Sequence, residues 1–227
     1  MTSKNQARFI RPTKTDKGLL IVFEGIDGSG KTKQASLLYE KIQSLGIRSV
    51  LLREPGGTVL GNDIRAILLS GKAKNNIARL FLFLASRVAI ISEAIVPAMA
   101  RGEVVICDRF VDSTAVYQGD SVEKASGDRK LLSSLNALAT GGLEADLTIV
   151  IDTDPSVATA RSKKDALDTL DVETATGLRK RYIEIASNKE RHVIVDGNRD
   201  IDAIADDVYR LVESLVFMRP TSIEIDF

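Results

Sequence analysis

Residues 19–32 read LLIVFEGIDGSGKT. The first five form a short, unbroken apolar run, the pattern of a strand buried on both faces. It leads into Gly25-Ile26-Asp27-Gly28-Ser29-Gly30-Lys31-Thr32, which fits G-x-x-x-x-G-K-[ST]. Glycines at these places let consecutive backbone N–H groups curl around an anion, and a helix opening at Lys31 adds its positive end. In such a loop the lysine reaches the β- and γ-phosphates of a nucleoside triphosphate, and the Thr32 hydroxyl ligates Mg²⁺. The match stands directly after a buried strand and directly before a helix pattern, where that mechanism requires it.

Working outward, the spacing predicts a helix over about 31–45 that ends at Gly46. A strand follows at 48–52, closed by Pro55-Gly56-Gly57. Helical patterns occupy about 60–70 and 76–101, apolar runs predict strands at 104–107, 147–151 and 192–195, and a closing helix is expected over 201–217. Strands alternating with helices imply an α/β protein with a P-loop NTPase fold: a parallel five-stranded sheet with helices on both faces. One P-loop domain is expected over 18–217, with polar segment 154–175 as a short mobile lid. Residues 1–17, with five basic side chains and one acidic, are expected to be a disordered tail, and 218–227 a C-terminal tail.

Composition narrows the function classes. Apolar residues make up 44% and charged residues 27%, and 31 basic side chains balance 31 acidic ones. A balanced charge carries no footprint for nucleic acid. A single cysteine, Cys107, precludes an intramolecular disulfide, and a single histidine, His192, precludes a zinc cluster; both fit a cytoplasmic location. The most apolar stretch, 77–100, is interrupted by Arg79, Arg87 and Glu93, so no membrane span is expected there. Cys107 reads as a small core residue, His192 is given no chemistry, and Arg179-Lys180-Arg181 reads as a solvated helix face.

Three further segments bear on the acceptor. Arg53-Glu54-Pro55-Gly56-Gly57-Thr58 and Asp108-Arg109-Phe110 each follow a strand at the edge where open α/β sheets bind ligands. Asp108 there can hold Mg²⁺ or its water, and Arg109 can clamp a phosphoryl group. Phe83 and Arg87 are four apart on a helix and share a face, so a ring and a guanidinium could stack on a base and bond its edge.

Taken together, FEGIDGSGKT (23–32), REPGGT (53–58), FLASR (83–87), DRFVDSTAVYQG (108–119) and DLTIVID (146–152) closely resemble thymidylate kinase of the bacterial type, from about 19 to 215. The resemblance implies transfer of the γ-phosphate of ATP to dTMP, giving dTDP and ADP. It places Asp27 at the sugar 3′-hydroxyl, and Arg53, Arg65 and Arg109 around the acceptor phosphate. Phe83 would stack on thymine with Arg87 at its O4 edge, Thr114 and Gln118 on the remaining edge, and Tyr117 against the deoxyribose. Gly25, Asp27, Gly28, Ser29, Gly30, Lys31 and Thr32 would hold the ATP phosphates, with Asn198 near adenine. A kinase for another nucleoside monophosphate, or a nucleotide-binding regulator without efficient transfer, are the alternatives.

The chain departs from that pattern in the lid. Bacterial members carry Leu-Asp-Arg there, an arginine presented to the transferring phosphates, whereas this chain reads Leu167-Asp168-Thr169-Leu170-Asp171. The transition-state cation is then expected from Arg161, Lys163 or Lys164. Helix 76–101 is apolar on nearly every face, and together with the resemblance it implies a homodimer.

Overall fold

In a computed structural model, residues 18–128, 130–162 and 170–217 are described. Both tails, Lys163, Lys164 and Thr169 lie outside the described residues. Strand β1 (Leu19–Glu24) is central: β3 (Val104–Asp108) pairs on one side of it and β4 (Leu147–Asp152) on the other. Strand β2 (Ser49–Arg53) adds to β3 and β5 (His192–Asp196) to β4, giving the order β2-β3-β1-β4-β5 with every pairing parallel. The carboxyl ends therefore lie along one edge. Phe23 and Arg53 both pair with Asp108, and Asp152 pairs with Asp196.

Helices α1 (Lys31–Ser44) and α9 (Ile201–Phe217) cover one face, packing Leu38, Ile42, Ile204 and Val208 on Ile21, Phe23 and Ile106. On the other face Leu20, Val22, Val105 and the fully buried Cys107 meet Ile90, Ile91 and Ile95. Those three belong to a long helical run: α3 (Asn76–Ile90), a π-helical turn (Ile91–Ile95) and α4 (Val96–Ala100). The wide turn precedes Pro97, which has no N–H to return to the preceding turn. By length and composition this run could cross a membrane; here it forms core, and its Arg87 is buried against Glu54. Helix α2 (Val59–Leu69) starts at Thr58, whose side chain accepts from the Gly61 N–H.

Three helices have no counterpart in the sequence reading, α5 (Val111–Ser126), α6 (Leu131–Thr140) and α7 (Pro155–Arg161), and a fourth, α8 (Val172–Ser187), was read only as a helix face at 179–181. In α5 the buried side includes Asp112, Thr114 and Gln118, so the apolar period is broken by polar residues that face inward. The described ends of the expected lid are helical: α7 is capped by Asp154, and α8 by Asp171. The basic run on α8 is a solvated face at Lys180, but the two arginines beside it have partners. Arg179 makes a two-pronged ion pair with Asp152, and Arg181 bonds the Val116 carbonyl and Asp120, because α8 lies across β4 and α5. His192 also has a partner, its Nε2 lying 2.7 Å from Asp112 Oδ2, while Lys189 takes Oδ1 at 2.7 Å.

Candidate active site

The loop joining β1 to α1 turns at the carboxyl edge of the sheet. Gly30, immediately before α1, has φ 96°, a left-handed conformation easily reached only by glycine. A Cβ built on it would meet nothing within 4 Å, so the mouth of the loop is open to a ligand. Gly28 is glycine for a second reason: a Cβ there would lie 1.9 Å from the Ala158 carbonyl oxygen on α7. Residues from Gly28 to Thr32 line a cleft of about 670 Å³, with the free N–H groups of the first turn of α1 beside it.

Lys31 is buried and lies back on its own loop, Nζ 3.3 Å from the Ile26 carbonyl and 3.4 Å from Asp27 Oδ1. Burial, then the Arg109 charge, lower its pKa against the opposing pull of Asp108 and Asp27. An anion in the loop would relieve that penalty. Thr32 Oγ1 donates to Asp108 Oδ2 at 2.5 Å, and Asp108 Oδ1 is buried without a partner among the described residues. A hydroxyl and a carboxylate suit Mg²⁺, which takes few protein oxygens and completes its shell with phosphates and water.

Arg109 is held in an uncommon backbone conformation, φ 76°, at a cost of about 1–3 kcal/mol for a non-glycine residue. Its N–H donates to the Phe23 carbonyl, and its guanidinium donates to Asp27, Ser113, Tyr182 and the Gly25 carbonyl. The guanidinium also lies 5.4 Å from the Tyr117 ring centre. Burial would push the Asp27 carboxyl up, but Arg109 and then Lys31 outweigh it, and its pKa is lowered. Beneath this cluster lies Glu24. Its Oε1 accepts from the Phe110 and Ser113 N–H groups, and its Oε2 from the Ser113 hydroxyl. One fully buried carboxylate thus fixes the turn that presents Arg109.

A recess adjoins the cleft. Phe83, Arg87, Thr114, Tyr117 and Gln118, all named from the sequence, line it. Arg53, Arg65 and Arg161 line the cleft, and Asp27 and Arg109 line both. Two expected residues stand apart. Gly25 contributes its carbonyl to Arg109, and the Asn198 side chain bonds Asp196 and the Asp154 N–H, while its neighbours Gly197 and Arg199 line the cleft. Glu24, Ser113, Tyr182, Glu54 and Asn136 were not assigned from sequence. Glu24 had a visible signal, a charge ending an otherwise apolar strand, and Ser113 lies four residues after Arg109. Tyr182 and Asn136 had none, being remote in the chain from the groups they touch.

An anion-binding glycine loop on a parallel sheet, with Thr32 and Asp108 together and arginines ringing the cleft, defines a P-loop phosphotransferase. The sequence model of the family described as thymidylate kinase matches residues 23–208. A thymidylate kinase from Nostoc sp. is 42% identical over 189 residues, covering 79% of this chain and 88% of the relative. One from Ruegeria pomeroyi is 41% identical over 204 residues, covering 86% and 94%. The crystal structure of thymidylate kinase from Ehrlichia chaffeensis superposes with a TM-score of 0.70 at 32% identity, covering 86% of this chain and 98% of that one. The chain belongs to the thymidylate kinase family, and its activity is the ATP-dependent phosphorylation of dTMP to dTDP.

The Glu24 post has a measurable consequence. Burial, then the Asp112 charge, push its carboxyl from 4.5 up to about 7, against Arg109 and its hydrogen bonds. The native state keeps a proton that the unfolded chain releases at lower pH. Stability from this group is therefore full below about 4.5 and is lost as pH rises through about 7. In Glu24→Gln that slope should vanish, so the wild type should lose Tm relative to the variant between about pH 5 and pH 8. A difference in Tm that stays constant over this interval contradicts the assignment.

Proposed function

We propose that the recess holds the thymine of dTMP, that the cleft holds the phosphates of both nucleotides, and that the Asp27–Arg109 pair marks their junction. The observation that carries this division is that Asp27 and Arg109 line both spaces. Phe83, half-buried at the recess, stacks on the base, and Arg87, Thr114 and Gln118 address its edge. Tyr117 packs on the deoxyribose. Asp27, kept ionised by its two cations, accepts from the 3′-hydroxyl. Arg53, Arg65 and Arg109 surround the acceptor phosphate, and residues 28–32 hold those of ATP, with adenine toward Gly197, Asn198 and Arg199. Thr32 and Asp108 are the residues for Mg²⁺, which when bound neutralises phosphate charge.

Transfer is in line, and the protein's part is positioning and charge stabilisation. Lys31 and Arg109 are both buried, so their hydrogen bonds to phosphoryl oxygens act with little competition from water. Arg161 ends α7 and lines the cleft, which supports it as the cation that replaces the missing lid arginine; the other candidates, Lys163 and Lys164, lie outside the described residues. Cys107, free and buried, fits a cytoplasmic enzyme. A homodimer is supported by exposed apolar side chains on three neighbouring helices: Val59 (81% exposed) on α2, Phe81 (57%) on α3 and Leu138 (74%) on α6. Helix α3 packs against both of the others.

Three measurements test these assignments. Phe83→Ala should weaken dTMP binding by about 1–3 kcal/mol and leave ATP affinity nearly unchanged; equal loss for both nucleotides, or a collapsed Tm, would mark the ring as core. Arg161→Ala should cost about 3 kcal/mol in kcat with a much smaller rise in KM for dTMP, since the charge it meets develops in the transition state. An unchanged kcat moves the cation to another segment. Sedimentation equilibrium at micromolar concentration should give a dimer, and Leu138→Asp should shift it toward monomer; a monomeric wild type excludes the interface.

A further inference from the structure

Arg87 is among the most buried side chains of the protein, 1% exposed, yet it lines the recess. A guanidinium carries five N–H donors in a rigid plane. Here Nε donates to Glu54 Oε2 at 2.9 Å, and Nη2 donates to Glu54 Oε2 at 2.6 Å and to the Phe110 carbonyl at 2.9 Å. Nη1 donates to Asn136 Oδ1 at 2.8 Å. The Phe110 ring lies 5.5 Å from the guanidinium carbon. Four donors are thus committed to the protein, and one N–H, on Nη1, is left for whatever enters the recess.

We infer that Asn136 and Glu54 are positioning residues for base selection, holding Arg87 so that it presents a single fixed donor to the edge of the acceptor base. The inference rests on the placement of Arg87 at that edge under the proposed function. A lone N–H at a set point donates to a carbonyl oxygen and repels an exocyclic amine, because the amine would leave two donors face to face in a buried space. Glu54 supplies the charge that makes burial of the cation tolerable. Asn136 does something different. It is neutral, half-buried on α6, and it engages the same nitrogen that carries the reading N–H. Without that acceptor, Nη1 would have two uncommitted hydrogens, and the plane would be free to tilt about its Glu54 edge.

The test compares Asn136→Leu, which keeps the bulk and removes the acceptor, with Asn136→Asp, which keeps an acceptor oxygen. Steady-state kinetics with dTMP and dCMP, and with ATP varied, separate the terms. Asn136→Leu should raise KM for dTMP about tenfold, the loss from one unpaired buried donor, with a far smaller change in kcat and none in KM for ATP. Its preference for dTMP over dCMP, as kcat/KM, should fall with it. Asn136→Asp should stay within about threefold of wild type on both measures. An Asn136→Leu enzyme with wild-type KM and preference overturns the inference, as does one that loses kcat and ATP affinity together with Tm. Arg87→Lys is the companion variant. If it too leaves KM and base preference unchanged, the placement of Arg87 at the base fails as well; if it is impaired while Asn136→Leu is silent, only the role of Asn136 fails.

Discussion

The parallel register of β1 on β3 sets Phe23 beside Asp108, and the site follows from that pairing. The next residues of each strand are then neighbours: Glu24 and the glycine loop on one side, Arg109 and Phe110 on the other. Glu24 reaches the Phe110 and Ser113 N–H groups, Asp27 meets Arg109, and Thr32 meets Asp108. A slip of one residue would turn each of these side chains to the opposite face of the sheet. The burial of both strands on both faces holds the register, since every alternative exposes part of an unbroken apolar run.

Upon that frame, buried charges are used in pairs with distinct tasks. Glu24 and Glu54 are both fully enclosed, and burial raises the pKa of each. Glu24 lies beneath the site, whereas Glu54 lines both the recess and the cleft. Each braces an arginine, Glu24 through the turn that carries Arg109 and Glu54 by direct contact with Arg87. The Glu54–Arg87 ion pair contributes little net stability, because desolvation offsets most of its attraction, and Glu24 acts through hydrogen bonds to the turn. Their contribution is orientation: phosphoryl transfer asks the protein for cations already in place, not for covalent chemistry.

Much of this architecture was legible in one dimension. The five strands were found within a residue or two of their ends, because the three central ones are buried along nearly their whole length and read as unbroken apolar runs, and the two edge strands are short apolar runs as well. Helix α5 was hidden by its polar inward face, which carries Asp112, Thr114 and Gln118 in place of an apolar stripe. The basic run on α8 misled for a related reason. Three adjacent cations look solvated, but Arg179 and Arg181 meet Asp152, Asp120 and the Val116 carbonyl, which come from other parts of the chain.

The sequence by itself determined the fold class, the phosphate loop and the residues that line the cleft and recess, because each depends on local pattern: an apolar run, glycines at set intervals, a ring and a guanidinium four apart. Tertiary structure alone decided what supports them. Glu24 is 86 residues from Phe110, Arg87 is 49 from Asn136 and Arg109 is 73 from Tyr182. Which buried donor meets which buried acceptor over such separations depends on strand order and helix placement. Neither is written in the spacing of residues along the chain.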